Sequence, residues 1–294
     1  MEKMKELYAQ YNCNLSDAEV KAAVEKIVAE NYDANNNVEV WKKCLNSIDL
    51  TSLNGTDTED KIGRMMQKVN DFPQNFPELP NVAAVCVYPA LVPVSRAVLD
   101  KENGVNIAAV AACFPASQSF IEVKVAETAM TVKAGADEID VVISIGKFFS
   151  GLHSEVYDEL RELKAACGKA HLKVILESGA LRSAVEVKQA SLLAIAAGAD
   201  FIKTSTGKTE PAATLEAAYV MCGAIKEYYE KTGIKIGFKP AGGVSTTEEA
   251  VKFYSVVKAV LGDEWLNNKL FRFGASRLAN NLLSSIEGKE VKYF

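Results

Sequence analysis

Eight short apolar or β-branched runs recur along the chain, each followed by a stretch with helical periodicity, and this alternation narrows the possible folds more than any other feature. The runs are Ile48 to Leu53, Ala83 to Tyr88, Ile107 to Cys113, Glu138 to Ser144, Leu172 to Glu177, Phe201 to Ser205, Ile236 to Pro240 and Phe271 to Gly274. Strands buried on both faces read as near-continuous apolar runs, and a helix between successive strands returns the chain to the same end of the sheet, so the strands run parallel. Eight such units predict a closed (β/α)8 TIM barrel, for which about 250 residues are typical. The 294 residues therefore hold a barrel over residues 46–294, with a C-terminal tail from about 288, and an N-terminal helical extension over residues 1–45.

In the extension, Ser16-Asp17-Ala18-Glu19 has the pattern of a capping box and opens a helix that runs toward Glu30. Asn35-Asn36-Asn37 breaks it, and a short helix then carries Trp41. A packing appendage is the simpler reading of this segment, ahead of a lid or an interface. Within the barrel, Ser119-Phe120-Ile121-Glu122 is a second capping-box pattern, and further helices begin at about Glu155, Ser183, Ala212, Thr246 and Ser276. The segment from Phe72 to Pro80 reads as a loop, because prolines cluster in it.

A formal charge of -5 argues against a nucleic-acid surface, so an anionic small substrate must meet a local basic cluster. The six cysteines form no C-x-x-C pair and only two histidines are present, which supports neither a metal site nor a disulfide framework. No cofactor is expected. The N-terminus lacks the apolar core of a signal peptide and no run reaches membrane-spanning length, so the expected setting is cytoplasmic, with no membrane partner.

The chemistry centres on Phe201-Ile202-Lys203-Thr204-Ser205-Thr206-Gly207-Lys208, where an apolar run delivers a lysine at its polar end. A buried charge is costly unless it is paired, so Lys203 needs a special reason to stand there. Ala134-Gly135-Ala136-Asp137-Glu138-Ile139-Asp140 echoes Ala197-Gly198-Ala199-Asp200-Phe201-Ile202-Lys203. Aligned on that turn, Asp140 and Lys203 occupy the same step of strands four and six, and alternate strands fill one interior layer of a barrel. Strand seven adds Lys239, in Gly237-Phe238-Lys239-Pro240-Ala241-Gly242-Gly243. An amine is a poor nucleophile at its ordinary pKa of ~10.4, but burial and a neighbouring ammonium both favour its neutral form. Two lysines and a carboxylate at the C-terminal ends of barrel strands make a Schiff-base site.

Such barrels often bind phosphate in the turns after strands seven and eight. Gly242-Gly243 and Gly274-Ala275-Ser276 stand there, and Lys208 and Arg277 add charge nearby. Ser205-Thr206-Gly207-Lys208-Thr209 resembles the end of a nucleotide P-loop, but Ile202 occupies the position of its first glycine, so ATP binding is rejected.

The motifs around Lys203 and Lys239, with Glu138-Ile139-Asp140-Val141-Val142 and Phe273-Gly274-Ala275-Ser276, closely resemble those of deoxyribose-phosphate aldolase. Asp49-Leu50-Thr51-Ser52-Leu53 and Val85-Cys86-Val87-Tyr88-Pro89 look like its first two strands, and the likeness spans Ile48 to Leu283. The long N-terminal extension looks like that of eukaryotic members. This resemblance implies a class I aldolase that needs no metal and reversibly cleaves 2-deoxy-D-ribose 5-phosphate to D-glyceraldehyde 3-phosphate and acetaldehyde, in deoxyribose phosphate catabolism. It makes Lys203 the Schiff-base lysine, Lys239 the lysine that lowers its pKa and Asp140 the proton-relay acid. Gly207, Gly242, Gly243, Gly274 and Ser276 match the phosphate turns, with Thr206, Lys208 and Arg277 beside them, while Asp49 and Cys86 line the pocket.

Departures from the family pattern fall at Phe114-Pro115-Ala116-Ser117, where a glycine is usual at the last position, and at Ser245, where an arginine is common. Arg277 stands where a small residue is common, and is expected to replace the charge missing at Ser245. Some members fold a C-terminal tyrosine into the site; here Tyr293 is penultimate, and a frayed tail is expected. A homodimer is the expected assembly, since two-fold dimers are the commonest closed oligomers. The alternatives are a Schiff-base aldolase for another phosphosugar and a catalytically inactive phosphosugar-binding barrel.

Overall fold

The computed structural model describes residues 2–294, in which β1 (Ile48–Thr51), β2 (Ala84–Val87), β3 (Asn106–Val110), β4 (Glu138–Val142), β5 (His171–Ile175), β6 (Phe201–Lys203), β7 (Gly237–Lys239) and β8 (Phe273–Ala275) form one sheet. Neighbouring strands pair in parallel in the order β7-β6-β5-β4-β3-β2-β1-β8. Backbone bonds from Phe238 N to Leu270 O (2.8 Å), from Arg272 N to Phe238 O (3.0 Å) and from Gly274 N to Pro240 O (2.9 Å) join the two ends of this order. The (β/α)8 barrel predicted from the eight runs is therefore present. Most runs are longer than their ladders, because their last residues turn over into the loops of the barrel mouth.

Side chains alternate between the two faces of each strand. One set, including Leu50, Val85, Ile107, Ile139, Val174, Ile202 and Phe238, joins the large apolar core under the outer helices. The opposite set includes Asp49, Glu138, Asp140, Lys173, Lys203 and Lys239, which pair with one another across the interior. The barrel thus has an apolar exterior and a charged centre. Small residues make room at the bottom of that centre, where a Cβ at Gly237 would collide with the Phe201 ring.

The Gly-Ala-Asp echo has a structural cause. Asp137 Oδ2 accepts the backbone N–H of Ile107 at 2.8 Å and pairs with Arg96, whose guanidinium also donates to Gly135 O at 2.8 Å. Asp200 Oδ2 likewise accepts the N–H of Leu172 at 2.7 Å and pairs with Lys164. Each aspartate satisfies a strand amide below the ladder and sets the height at which its own strand begins. Asp140 and Lys203, three residues later in each repeat, are placed by that anchor.

Several expected boundaries move. The segment from Phe72 to Asn75 is not loop but the last turn of the helix Glu59–Asn75. Pro73 has no N–H to donate to Val69 O, and the Asn81 side chain supplies that bond instead at 2.8 Å. The helix expected from Ser119 is Ile121–Lys133, capped at Phe120 without a side-chain bond. Phe120 is the last extended residue, so the Ser119 hydroxyl stands one position too early to cap. The helix expected from Ala212 is Leu215–Thr232, because Thr214 is extended and accepts the Ala217 N–H. Ser16, by contrast, caps Asp17–Asn35 as expected, and Asn37 caps Val38–Asn46, which carries Trp41.

The extension comprises Glu2–Ala9, Asp17–Asn35 and Val38–Asn46 and lies on the outer helices. Asn35 Nδ2 donates to Ser255 Oγ at 2.9 Å, and Tyr8 Oη meets His153 Nδ1 at 2.9 Å. Among the described residues, no helix is long and apolar enough to cross a membrane.

Candidate active site

A cavity of about 490 Å³ opens at the C-terminal ends of the strands, and Lys203 reaches it from below. Its walls are the turns after β1, β6, β7 and β8, through residues such as Leu53, Thr206, Gly243, Ser245, Ser276 and Arg277. Beneath it the interior is closed: Lys203 is 3% exposed, while Asp49, Asp140 and Lys239 are fully buried.

Asp140 Oδ2 is the meeting point of the two lysines. Lys203 Nζ and Lys239 Nζ each donate to it at 2.8 Å, and Lys239 also holds Asp49 Oδ2 at 2.5 Å. By ladder register Asp140 lies opposite Lys173, which lies opposite Phe201, two residues before Lys203. Strand tilt in a barrel absorbs that stagger, and raises Lys203 to the height of Asp140.

The two lysines differ electrostatically. Burial pulls Lys203 down, Asp140 opposes it, and the ammonium of Lys239 adds to the downward push, so its pKa falls below that of an ordinary lysine. Burial also works against the charge of Lys239, but Asp140 and Asp49 outweigh it and drive the pKa up. One amine is pushed toward the neutral form, the other held charged. Burial would raise Asp140, yet Lys173, Lys203 and Lys239 together hold it well below the usual carboxylate range.

Three members of this cluster were absent from the expected site. Glu138 pairs with Lys173, and with Arg272 at 3.0 Å. Lys173 also approaches Asp140 at 3.2 Å, and Arg272 approaches Asp49 at 2.6 Å. Lys173 carried the same signal as Lys203, a lysine inside the apolar run Leu172-Lys173-Val174-Ile175. Cys86 is fully buried in the inner cluster with Leu53, Ala108 and Val110, where burial pushes its thiol pKa up. Contrary to expectation, neither it nor Asp49, buried beneath the floor, lines the cavity.

The glycine turns form the far wall. Gly207, Gly242 and Gly243 hold φ of 75°, 80° and 81°. A Cβ at Gly242 would also stand 2.7 Å from Ala212 Cβ and 3.0 Å from Gly207 Cα, so the two turns touch backbone to backbone. Thr206 donates its hydroxyl to Glu177 at 2.6 Å and turns its oxygen to the Lys208 N–H at 3.0 Å, which shapes the turn after β6. Lys208 Nζ bonds the Leu53 carbonyl, tying that turn to the one after β1. Ser276 precedes the helix Arg277–Glu287 without a side-chain capping bond, and the N-terminus of that helix faces the cavity beside Gly274. Lys61 joins Lys203, Lys208 and Arg277 along the lining.

Arg277 and Ser245 both line the cavity. The Ser245 N–H is already taken by Glu249 at 2.8 Å, so this turn brings a carboxylate where a cation would serve an anion better. Replacing Arg277 by alanine is therefore expected to raise the KM for a phosphorylated substrate about tenfold, the loss of one charge-assisted contact of ~1.5 kcal/mol. Turnover at saturation should stay near wild type, and an unchanged KM would assign the anion to Lys208 and the turns alone.

At Ser117 the chain takes a φ of 55°, the left-handed region that favours glycine, which accounts for the glycine usual there. The tail is docked, not frayed. Asn280 Oδ1 accepts both the Tyr293 and Phe294 N–H groups at 2.9 Å, and Phe294 stacks on Phe72. Tyr293 Oη donates to Lys68 O at 2.7 Å, away from the cavity, whose rim is reached by Phe294 instead.

Residues 44–276 match the DeoC/LacD family aldolase profile. A deoxyribose-phosphate aldolase of Homo sapiens is 45% identical over 251 residues, 82% of this chain and 78% of that protein. Among solved structures, QR15, an aldolase, shares 27% identity with a TM-score of 0.67, covering 83% of this chain and 96% of that one. The deoxyribose phosphate aldolase of Aeropyrum pernix, described as tetrameric, shares the fold with a TM-score of 0.67 at 23% identity, covering 88% of this chain and 96% of that one. With its buried lysine pair at the mouth of a (β/α)8 barrel, this chain belongs to the DeoC/LacD family of aldolases.

Proposed function

We propose that the chain is a Schiff-base aldolase that reversibly cleaves 2-deoxy-D-ribose 5-phosphate to D-glyceraldehyde 3-phosphate and acetaldehyde. The observation that carries this reading is Lys203, an amine at the floor of an open cavity with its charge disfavoured, facing a carboxylate at 2.8 Å.

Neutral Lys203 attacks the substrate aldehyde carbon, and loss of water from the carbinolamine gives a cationic imine. That cation is an electron sink. A proton leaves the C3 hydroxyl toward Asp140, directly or through a water held by Asp140 and Lys239, and the C2–C3 bond breaks. Its electron pair enters the imine as an enamine, and C3 departs as the aldehyde of glyceraldehyde 3-phosphate. Protonation of the enamine at C2, followed by hydrolysis, releases acetaldehyde and restores the amine. Acid-base help of this kind typically supplies ~10²–10⁴-fold. The glycine turns and Arg277, at the other end of the cavity, hold the phosphate and so fix which carbonyl meets Lys203.

Working as a homo-oligomer in the cytoplasm is part of the same proposal. The test is incubation with 2-deoxy-D-ribose 5-phosphate and assay of both aldehydes, with borohydride trapping and peptide mapping in parallel. Both products and an adduct on Lys203 are expected. An adduct with a different phosphosugar alone would reassign the substrate, and no adduct would leave a binding protein.

A further inference from the structure

The barrel interior holds more charge than the reaction uses. Three carboxylates, Asp49, Glu138 and Asp140, are each fully buried. Four cations face them: Lys173 and Lys239 fully buried, Lys203 at 3% exposure and Arg272 at 4%. The lower part is closed to bulk solvent, so neutrality must come from within the cluster. With all seven ionised the interior carries one surplus positive charge. It balances if a single cation is neutral, and Lys203, alone of the four in lining the open cavity, is the one whose proton can leave to solvent.

We propose that Lys173 and Glu138 are positioning residues that hold Lys203 unprotonated by setting this charge count, a role that rests on the Schiff-base reading above. Neither reaches the cavity. Lys173 acts by occupying Asp140 Oδ1 at 3.2 Å, which leaves only Oδ2 for Lys203 and Lys239. Glu138 acts in the opposite sense. It pairs with Lys173 and Arg272, and is itself oriented by Asn106 at 2.7 Å. Cys86 on β2 also acts on Lys203, and Lys208 after β6 shares the cavity lining with it, as do Lys61 and Arg277. Burial keeps Cys86 a thiol, and Lys208 is turned to the Leu53 carbonyl.

The count makes two predictions of opposite sign. Lys173→Met leaves three carboxylates and three cations, so Lys203 is retained as the third counter-ion. Glu138→Gln leaves two carboxylates, and the proton on Lys203 becomes still less favourable. The readout is the rate of borohydride trapping with acetaldehyde against pH, whose acid limb reports protonation of Lys203. Lys173 shares the Asp140 carboxylate with Lys203, and Glu138 pairs with Lys173; charges coupled in this way are expected to shift a pKa by ~1 unit or more. The limb should move up by about one pH unit or more in Lys173→Met and down in Glu138→Gln.

The double variant Glu138→Gln with Lys173→Met removes one charge of each sign and should return the limb to near its wild-type position. It also replaces a buried ion pair by neutral groups of similar size, the change such sites tolerate best, so it remains informative if a single variant fails to fold. Shifts of the same sign in both single variants, or a double variant displaced by about a unit or more, would overturn the proposal. Wild-type protein that forms no adduct at Lys203 at any pH would instead refute the Schiff-base reading itself.

Discussion

Lys203→Met is expected to abolish cleavage of 2-deoxy-D-ribose 5-phosphate, with kcat reduced on the order of 10⁴-fold or more, the scale of removing a covalent nucleophile. Methionine fills much the same volume but cannot form an imine, so C2–C3 cleavage loses its electron sink. No nearby amine can take over. Lys239 is held charged between Asp49 and Asp140, Lys208 is tied to the Leu53 carbonyl, and Lys61 is paired with Asp57. The fold should survive, because Asp140 keeps Lys239 at 2.8 Å and Lys173 at 3.2 Å after the loss. Phosphate binding, which we assign to the turns after β6, β7 and β8, should also persist. The check is product assay with borohydride trapping, alongside thermal unfolding and affinity for inorganic phosphate. Residual turnover within about tenfold of wild type would move the nucleophile elsewhere.

Much of this site was legible in the sequence because burial makes charge conspicuous. A lysine at the end of Phe201-Ile202-Lys203, and another in Gly237-Phe238-Lys239, can be read as inward only because the outward face of each strand must be apolar. The repeat of Gly-Ala-Asp supplied the partner, since Asp137 and Asp200 anchor their strands alike. By the same criterion Lys173, inside Leu172-Lys173-Val174-Ile175, is readable as inward. Glu138 and Arg272 are harder: the first sits at a strand start, where charge is ordinary, and the second lies between Phe271 and Phe273, just before the short closing strand. What pairs with what across the interior depends on barrel stagger, which no linear pattern encodes. The docking of the tail is hidden for a similar reason. Nothing in Glu290-Val291-Lys292-Tyr293-Phe294 reveals that Asn280 will bind two of its amides.

Lys239→Met is the variant whose pH profile should change most. Lys239 pushes Lys203 toward neutrality and also neutralises Asp140 and Asp49. Without it, three buried carboxylates face Lys173, Arg272 and Lys203, and Lys203 must stay protonated to balance them. Its pKa then moves up, toward or beyond the ~10.4 of a free lysine. At neutral pH the neutral fraction falls, and kcat/KM should drop by about 10²–10³-fold. The sign follows from the titration: raising pH removes the proton from Lys203, so the variant should regain activity steadily between about pH 7 and 10. Each pH unit recovers up to about tenfold while the pKa lies above the range, whereas in the wild-type protein, whose Lys203 titrates below an ordinary lysine, the rise should end at lower pH. A variant that is slow by the same factor at every pH would mean that Lys239 acts only in proton transfer through Asp140. Recovery at high pH would instead show that its main contribution is electrostatic, with the ammonium held between two carboxylates so that its neighbour need not carry a charge.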